Sequence, residues 1–191
     1  MTEIERPRFL NSLLESWQLT LAHGKARDLI PYWIISALVV GATISLLLPD
    51  NFWDGSKLAV SVAVLSGLLT FNGIILALCW SAFGKIYEII GAGAFAAHLR
   101  KHELLNHYLL FVGYCHAAQI LAISATGLAI LTLWLPFKVW AMQAAVGASI
   151  ASSFYALRQG VATSTAMQDL IWKKATFDEP RATMTPVEAK G

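Results

Sequence analysis

Apolar residues fall in four long uncharged runs, 29–49, 58–84, 104–137 and 139–157, separated by short polar connections. A transmembrane helix needs about 17–25 predominantly apolar residues, so each run is long enough for one. The pattern predicts an all-α, polytopic membrane protein with four transmembrane helices at about residues 30–49, 58–83, 105–133 and 139–157.

The flanking segments also carry helical periodicity. In the segment 1–28, Phe9, Leu10, Leu13, Leu14, Trp17 and Leu21 recur at steps of one, three and four, with Asn11, Ser12, Glu15, Ser16 and Gln18 between them. That spacing predicts an interfacial amphipathic helix, with Pro7 tolerable in its first turn and Gly24 suited to end it. The long middle connection, 85–103, mixes Ile86, Tyr87, Ile89, Ile90, Phe95 and Leu99 with charged residues. It is expected to extend the flanking helices beyond the membrane, hinged at Gly91-Ala92-Gly93. A helical extension is expected over 158–174, followed by a flexible tail over 175–191 that has two prolines and no apolar period.

Composition agrees with this picture. The chain is 57% hydrophobic and 14% charged over 191 residues, against about 25% charged in soluble domains. The connections hold too little material for a separate core, which excludes a soluble enzyme and a large ectodomain. The net charge of +2 is uninformative until it is sorted by position. Twelve of the fourteen lysines and arginines precede the first run, lie between the second and third, or follow the fourth. Only Lys57 and Lys138 occupy the other two connections. Basic residues accumulate on the cytoplasmic side of short loops, so the bias predicts N-in/C-in topology in the inner (plasma) membrane, with cytoplasmic helical extensions. Tryptophan placement supports it: Trp33 and Trp80 fall at the expected inner boundary, Trp53, Trp134 and Trp140 at the outer one, and Trp17 and Trp172 in the inner flanks. No small-residue cleavage site precedes a soluble body, so the first span is expected to stay attached.

Within the runs, Gly41 and Ser45 have small-xxx-small spacing, and 144–153 holds small residues on almost every face. Such surfaces let helices approach closely in lipid and suit homo-oligomerisation. Cys79 and Cys115 lie inside the spans and read as small packing residues. Asn72, His116 and Gln119 are the conspicuous intramembrane polar groups, because an unpaired polar group is costly in hydrocarbon. Taken at similar depths, they predict one interhelical hydrogen-bonded cluster, with the lining of a water-filled path as the alternative. No span contains Asp or Glu, which disfavours proton coupling.

In the middle connection, His98 and His102 lie four apart, with His107 further on. Two histidines at that spacing can ligate zinc once further ligands are found, and they suit partner contacts equally. Arg100 and His107, separated by six residues, loosely match the arginine-to-histidine spacing of some ribonuclease motifs. The Gly91–Gly93 pair lacks the strand, third glycine and lysine of a phosphate loop. Basic residues are dispersed and locally balanced, so nucleic-acid binding is not expected, and no cofactor is implied.

Three classes of function follow. The first is a non-catalytic oligomeric membrane subunit that anchors or senses and engages a cytoplasmic protein partner. The second is a homo-oligomeric pore with Asn72, His116 and Gln119 near the path. The third, a membrane enzyme, lacks a carboxylate pair, a nucleophile–base set and a complete metal site. The bare architecture resembles the small four-span membrane subunits that accompany soluble partners in prokaryotic defence and signalling systems, a likeness of architecture that no motif carries.

Overall fold

The computed structural model describes residues 32–53, 58–91, 93–102 and 104–182. The expected amphipathic helix within 1–28 and the end of the expected tail, beyond 182, lie outside them. The described residues form five α-helices: α1 (Tyr32–Leu47), α2 (Leu58–Gly91), α3 (Ala94–Lys101), α4 (Leu104–Trp134) and α5 (Val139–Ala182). They contain no strand. Two stretches, Leu58–Gly91 and Phe111–Trp134, are long and apolar enough to cross a membrane, and Trp33–Leu47 is a shorter apolar helix. α5 is longer, but its glutamines, serines and threonines and the charged residues from Arg158 onwards make it less apolar.

α2, α4 and α5 pack against one another around a common seam. The buried and half-buried seam positions follow a strict alternation of three and four residues. On α2 they are Ser61, Leu65, Leu68, Asn72, Ile75, Cys79, Ala82, Ile86 and Ile89. On α4 they are Leu105, Tyr108, Val112, Cys115, Gln119, Ala122, Thr126, Ala129 and Leu133. On α5 they are Val146, Ser149, Ser153, Ala156, Gly160, Thr163, Met167, Leu170, Lys174 and Phe177. A repeat of 3.5 residues keeps one stripe facing its partners along a whole coiled helix. The seam is therefore a three-helix coiled coil, small and polar in its middle and large and apolar towards α3, where Phe83, Ile86, Ile90, Phe95, Leu99 and Leu170 form the largest buried cluster.

α1 stands apart from this seam and, among the described helices, packs only on α5. Ala37, Gly41 and Ser45 form its buried face at four-residue steps. A Cβ on Gly41 would collide with the Gly147 carbonyl oxygen and lie 2.8 Å from Ala151 Cβ, so only glycine permits this approach. The small residues of the first and fourth apolar runs thus meet within one chain. At one end of the same interface the Arg158 guanidinium lies 4.4 Å from the centre of the Trp33 ring.

At the other end, a 3-10 turn (Asp50–Phe52) follows α1, and Ser61 Oγ donates to the Phe52 carbonyl at 2.6 Å, tying that turn to the start of α2. Trp53, Phe52 and Leu48 pack beside Leu65, Ala129 and Val146 there. The short connection after Trp134, with Phe137 N–H bonded to Leu135 O at 2.7 Å, makes α4 and α5 an antiparallel hairpin.

Helix bounds modify the expectations in two places. α2 ends at Gly91 and α3 starts at Ala94, around Gly93 with φ of 93°, a left-handed conformation that favours glycine; the expected hinge lies there. The C-terminal extension does not stop at 174. α5 continues to Ala182, because Phe177 stacks on Phe95 at 5.4 Å and on His98 at 5.0 Å, giving the final turns an apolar anchor.

Candidate functional site

Midway along the seam, Asn72 is fully buried and its Nδ2 donates to Ser153 Oγ at 2.8 Å and Thr126 Oγ1 at 3.3 Å. The single Thr126 hydroxyl proton goes to Ala122 O at 2.7 Å, and that of Ser153 goes to Ser149 O at 2.7 Å. Ser149 is therefore the donor in its 2.8 Å bond with Thr126. One amide thus joins all three seam helices through hydroxyls, leaving Asn72 Oδ1 without a partner among the described residues.

Gln119 lies two turns further along, also fully buried. Its Nε2 donates to Ala156 O at 2.9 Å and lies 3.9 Å from Cys79 Sγ, while its Oε1 has no partner. Gly160 makes this arrangement possible, since a Cβ there would stand 3.0 Å from Cys79 Sγ and 3.7 Å from Gln119 Nε2. Cys79 and Cys115 are free thiols with sulfurs 3.9 Å apart.

The expected single cluster is therefore not formed: no hydrogen bond joins Asn72, Gln119 and His116 to one another. Asn72 shares its layer with Thr126, and Gln119 shares its own with Cys79. Each pair of layers is seven residues apart, about 10 Å at 1.5 Å per residue. His116 sits one position beyond the seam residue Cys115, which turns its ring outwards. It rests 5.1 Å from the Trp80 ring and 5.7 Å from Phe83. A groove of about 410 Å³ opens there between α2 and α4, floored by Gly84 and Gly113 and walled by Trp80, Tyr87 and His116.

At the α3 end, the rings of His98 and His102 lie 4.5 Å apart, and His98 also lines an open crevice of about 500 Å³ with Phe95, Trp172 and Phe177. Asp169 and Lys173 border the same crevice; their ion pair is 2.6 Å long, and Tyr108 Oη donates to Asp169 at 3.4 Å. The hydrogen bond to Asp169 raises the Lys173 pKa. On α2, the 2.8 Å hydrogen bond between Lys85 and Glu88 raises the lysine and lowers the carboxylate. Both pairs are about half exposed or more, so they set local geometry more than stability. Arg100 is exposed, and the His107 side chain lies outside the described ones. Among the described residues no three His, Cys, Asp or Glu groups converge to hold a metal ion. The His98–His102 pair therefore lacks a third ligand there.

Sequence reasoning found Asn72 and Gln119 but missed their partners. The signal for Thr126, Ser149 and Ser153 is their place in the three-and-four spacing of the seam. No protein-family model matches this chain, and no match is found among curated proteins or solved structures.

Proposed function

We propose that this chain is a non-catalytic integral membrane subunit, with four spans and both termini cytoplasmic, that assembles with copies of itself and presents its α3 end to a cytoplasmic protein partner. The observation that carries this reading is the continuity of the seam. The same three helices that expose Val60, Val64, Phe71, Leu78, Leu121, Leu128, Leu131, Phe154 and Leu157 along one half run on into a second half with its own apolar core and exposed Lys85, Glu88 and Lys173, beside Arg100 and Lys101 of α3. An apolar outer surface of this extent suits lipid contact. A packed, charged continuation suits a rigid platform for a partner.

The dimensions fit a bilayer. From Trp140 to Arg158 on α5 is 18 residues, about 27 Å, close to a hydrocarbon thickness of about 30 Å. Trp33 and Trp80 would then sit at the inner boundary with Arg158, and Trp134 and Trp140 at the outer one. The same architecture underlies the likeness to membrane subunits of prokaryotic defence and signalling systems.

Support for self-association comes from α2. Ala59, Ala63, Ser66, Thr70, Gly73 and Ala77 form an exposed small-residue stripe opposite its seam, and a Cβ on Gly73 would meet nothing within 4 Å. Small residues left free on a span favour close packing with another helix. Gly73→Leu is therefore expected to shift the detergent-purified protein to a smaller assembly in native mass spectrometry. An unchanged assembly, or a monomeric parent, would refute that part.

The pore reading places Asn72, His116 and Gln119 near a shared path, but only His116 is turned outwards and half-buried. Full burial of Asn72 and Gln119 inside one protomer counts against their lining a path between protomers. A photo-crosslinking residue at Lys101 or Trp172, tested in the native host, should yield a discrete adduct with a soluble protein. Its absence, together with dissipation of an ion gradient in liposomes, would favour the pore.

A further inference from the structure

The groove beside His116 lies outside the seam, between α2 and α4. Its apolar end is made by Ile120 and Trp80, and Tyr87 lies two turns along α2 from Trp80, towards the polar half. His116 stands between them, half-buried, with its ring against Trp80 and Phe83 and no hydrogen-bond partner among the described residues. Under the membrane placement proposed above, on which this inference rests, the groove straddles the inner boundary and opens sideways to lipid.

The lining specifies the chemistry of an occupant. Aromatic walls and a glycine floor admit a flat ring and let it stack. The polar groups are an imidazole and a phenol, both able to donate a hydrogen bond, and neither carries a fixed charge. Among the described residues no lysine, arginine or carboxylate lines the groove; the nearby Lys85 pairs with Glu88 at 2.8 Å. Among these lining residues a phosphate-bearing headgroup would find no fixed cation, and a cationic amphiphile would find aromatic faces but no anion. The volume of about 410 Å³ falls within the range of small-molecule sites, about 300–1,000 Å³.

We propose that the groove between α2 and α4 binds an uncharged, ring-bearing membrane amphiphile of the quinone class. Its ring stacks against the exposed Trp80, a ring carbonyl accepts a hydrogen bond from His116, and its tail leaves along Ile120 into the bilayer. Tyr87, which lines the same groove, supplies the second donor. The proposal concerns binding alone and includes no electron transfer.

The test uses full-length protein in lipid nanodiscs and radiolabelled decylubiquinone, with empty nanodiscs measuring partition into lipid. Incorporation of the chain tests the membrane placement, and a chain that does not incorporate overturns both readings. Saturable binding above the empty-disc background, near one per chain, is expected. His116→Phe keeps a ring but removes the donor and should weaken binding about tenfold, the loss of one hydrogen bond of about 1.4 kcal/mol. Gly84→Leu should abolish saturation by filling the groove; a Cβ at Gly84 meets nothing within 4 Å, so the helix bundle has room for it. Native mass spectrometry of each variant confirms an unchanged assembly. Incorporated protein with only background partition, with equal binding in both variants, or with binding displaced by phosphatidylglycerol as readily as by unlabelled quinone would overturn the quinone site.

Discussion

Asn72 Nδ2 and Ser153 Oγ, 81 residues apart in sequence, lie 2.8 Å from each other at the centre of a three-helix seam. A polar residue at a core position of a coiled coil fixes register, because sliding one helix strands the amide. In an apolar surround that penalty is enlarged.

The first prediction follows from this pair. Asn72→Ala and Ser153→Ala should each destabilise the protein by about 1 kcal/mol, with a coupling of about 0.6 kcal/mol in a double-mutant cycle, the usual size for interhelical bonds in membranes. Reversible unfolding in mixed micelles measures all four states. Strict additivity would mean that the two side chains do not interact.

Glycine positions separate tight packing from open surface. Gly41→Ala places a methyl group against the Gly147 carbonyl and should cost about 1–3 kcal/mol through overpacking. Gly67→Ala meets nothing within 4 Å and should stabilise the helix by about 0.5–1 kcal/mol. Thermal shifts of opposite sign are the expected result; equal effects would contradict the α1–α5 approach.

Much of this architecture was legible beforehand, and its limits have physical causes. Long uncharged runs predicted the helices, and Gly93 marked the break before α3. The internal packing was hidden because α2 and α4 are apolar on every face: Ile75 is buried and Ile74 exposed, and hydropathy does not separate them. Only the three-and-four spacing of residues such as Asn72, Cys79 and Ile86 reveals the seam. A three-residue separation brings His116 and Gln119 near one face, yet the 60° between them sends one outwards at 3.6 residues per turn. The extra length of α5 escaped because Phe177 stands alone among polar residues, and its partner Phe95 is distant in sequence.

Phe177 supplies another test. Phe177→Ala removes its stacking on Phe95 and His98 and should loosen the last turns of α5. Limited trypsin digestion should then cut faster after Lys173 and Lys174 while the seam stays intact. Unchanged cleavage would show that those turns are held by other contacts.

The register of α2 against α4 is open to a chemical test, because the sulfurs of Cys79 and Cys115 are 3.9 Å apart. Copper–phenanthroline should protect both thiols together from later alkylation in denaturant, and a reductant should restore them. Continued labelling of both after oxidation would indicate a different register. A one-residue shift would turn one sulfur out of the seam.

The central claim is a membrane-spanning seam whose α3 end faces the cytoplasm. Single cysteines at Lys101, Lys138 and Lys173, in a background with Cys79→Ala and Cys115→Ala, test it most directly when intact cells are treated with a membrane-impermeant maleimide. Lys138→Cys should label from outside, while Lys101→Cys and Lys173→Cys should label only after permeabilisation. Labelling of Lys101→Cys or Lys173→Cys in sealed cells would contradict the account.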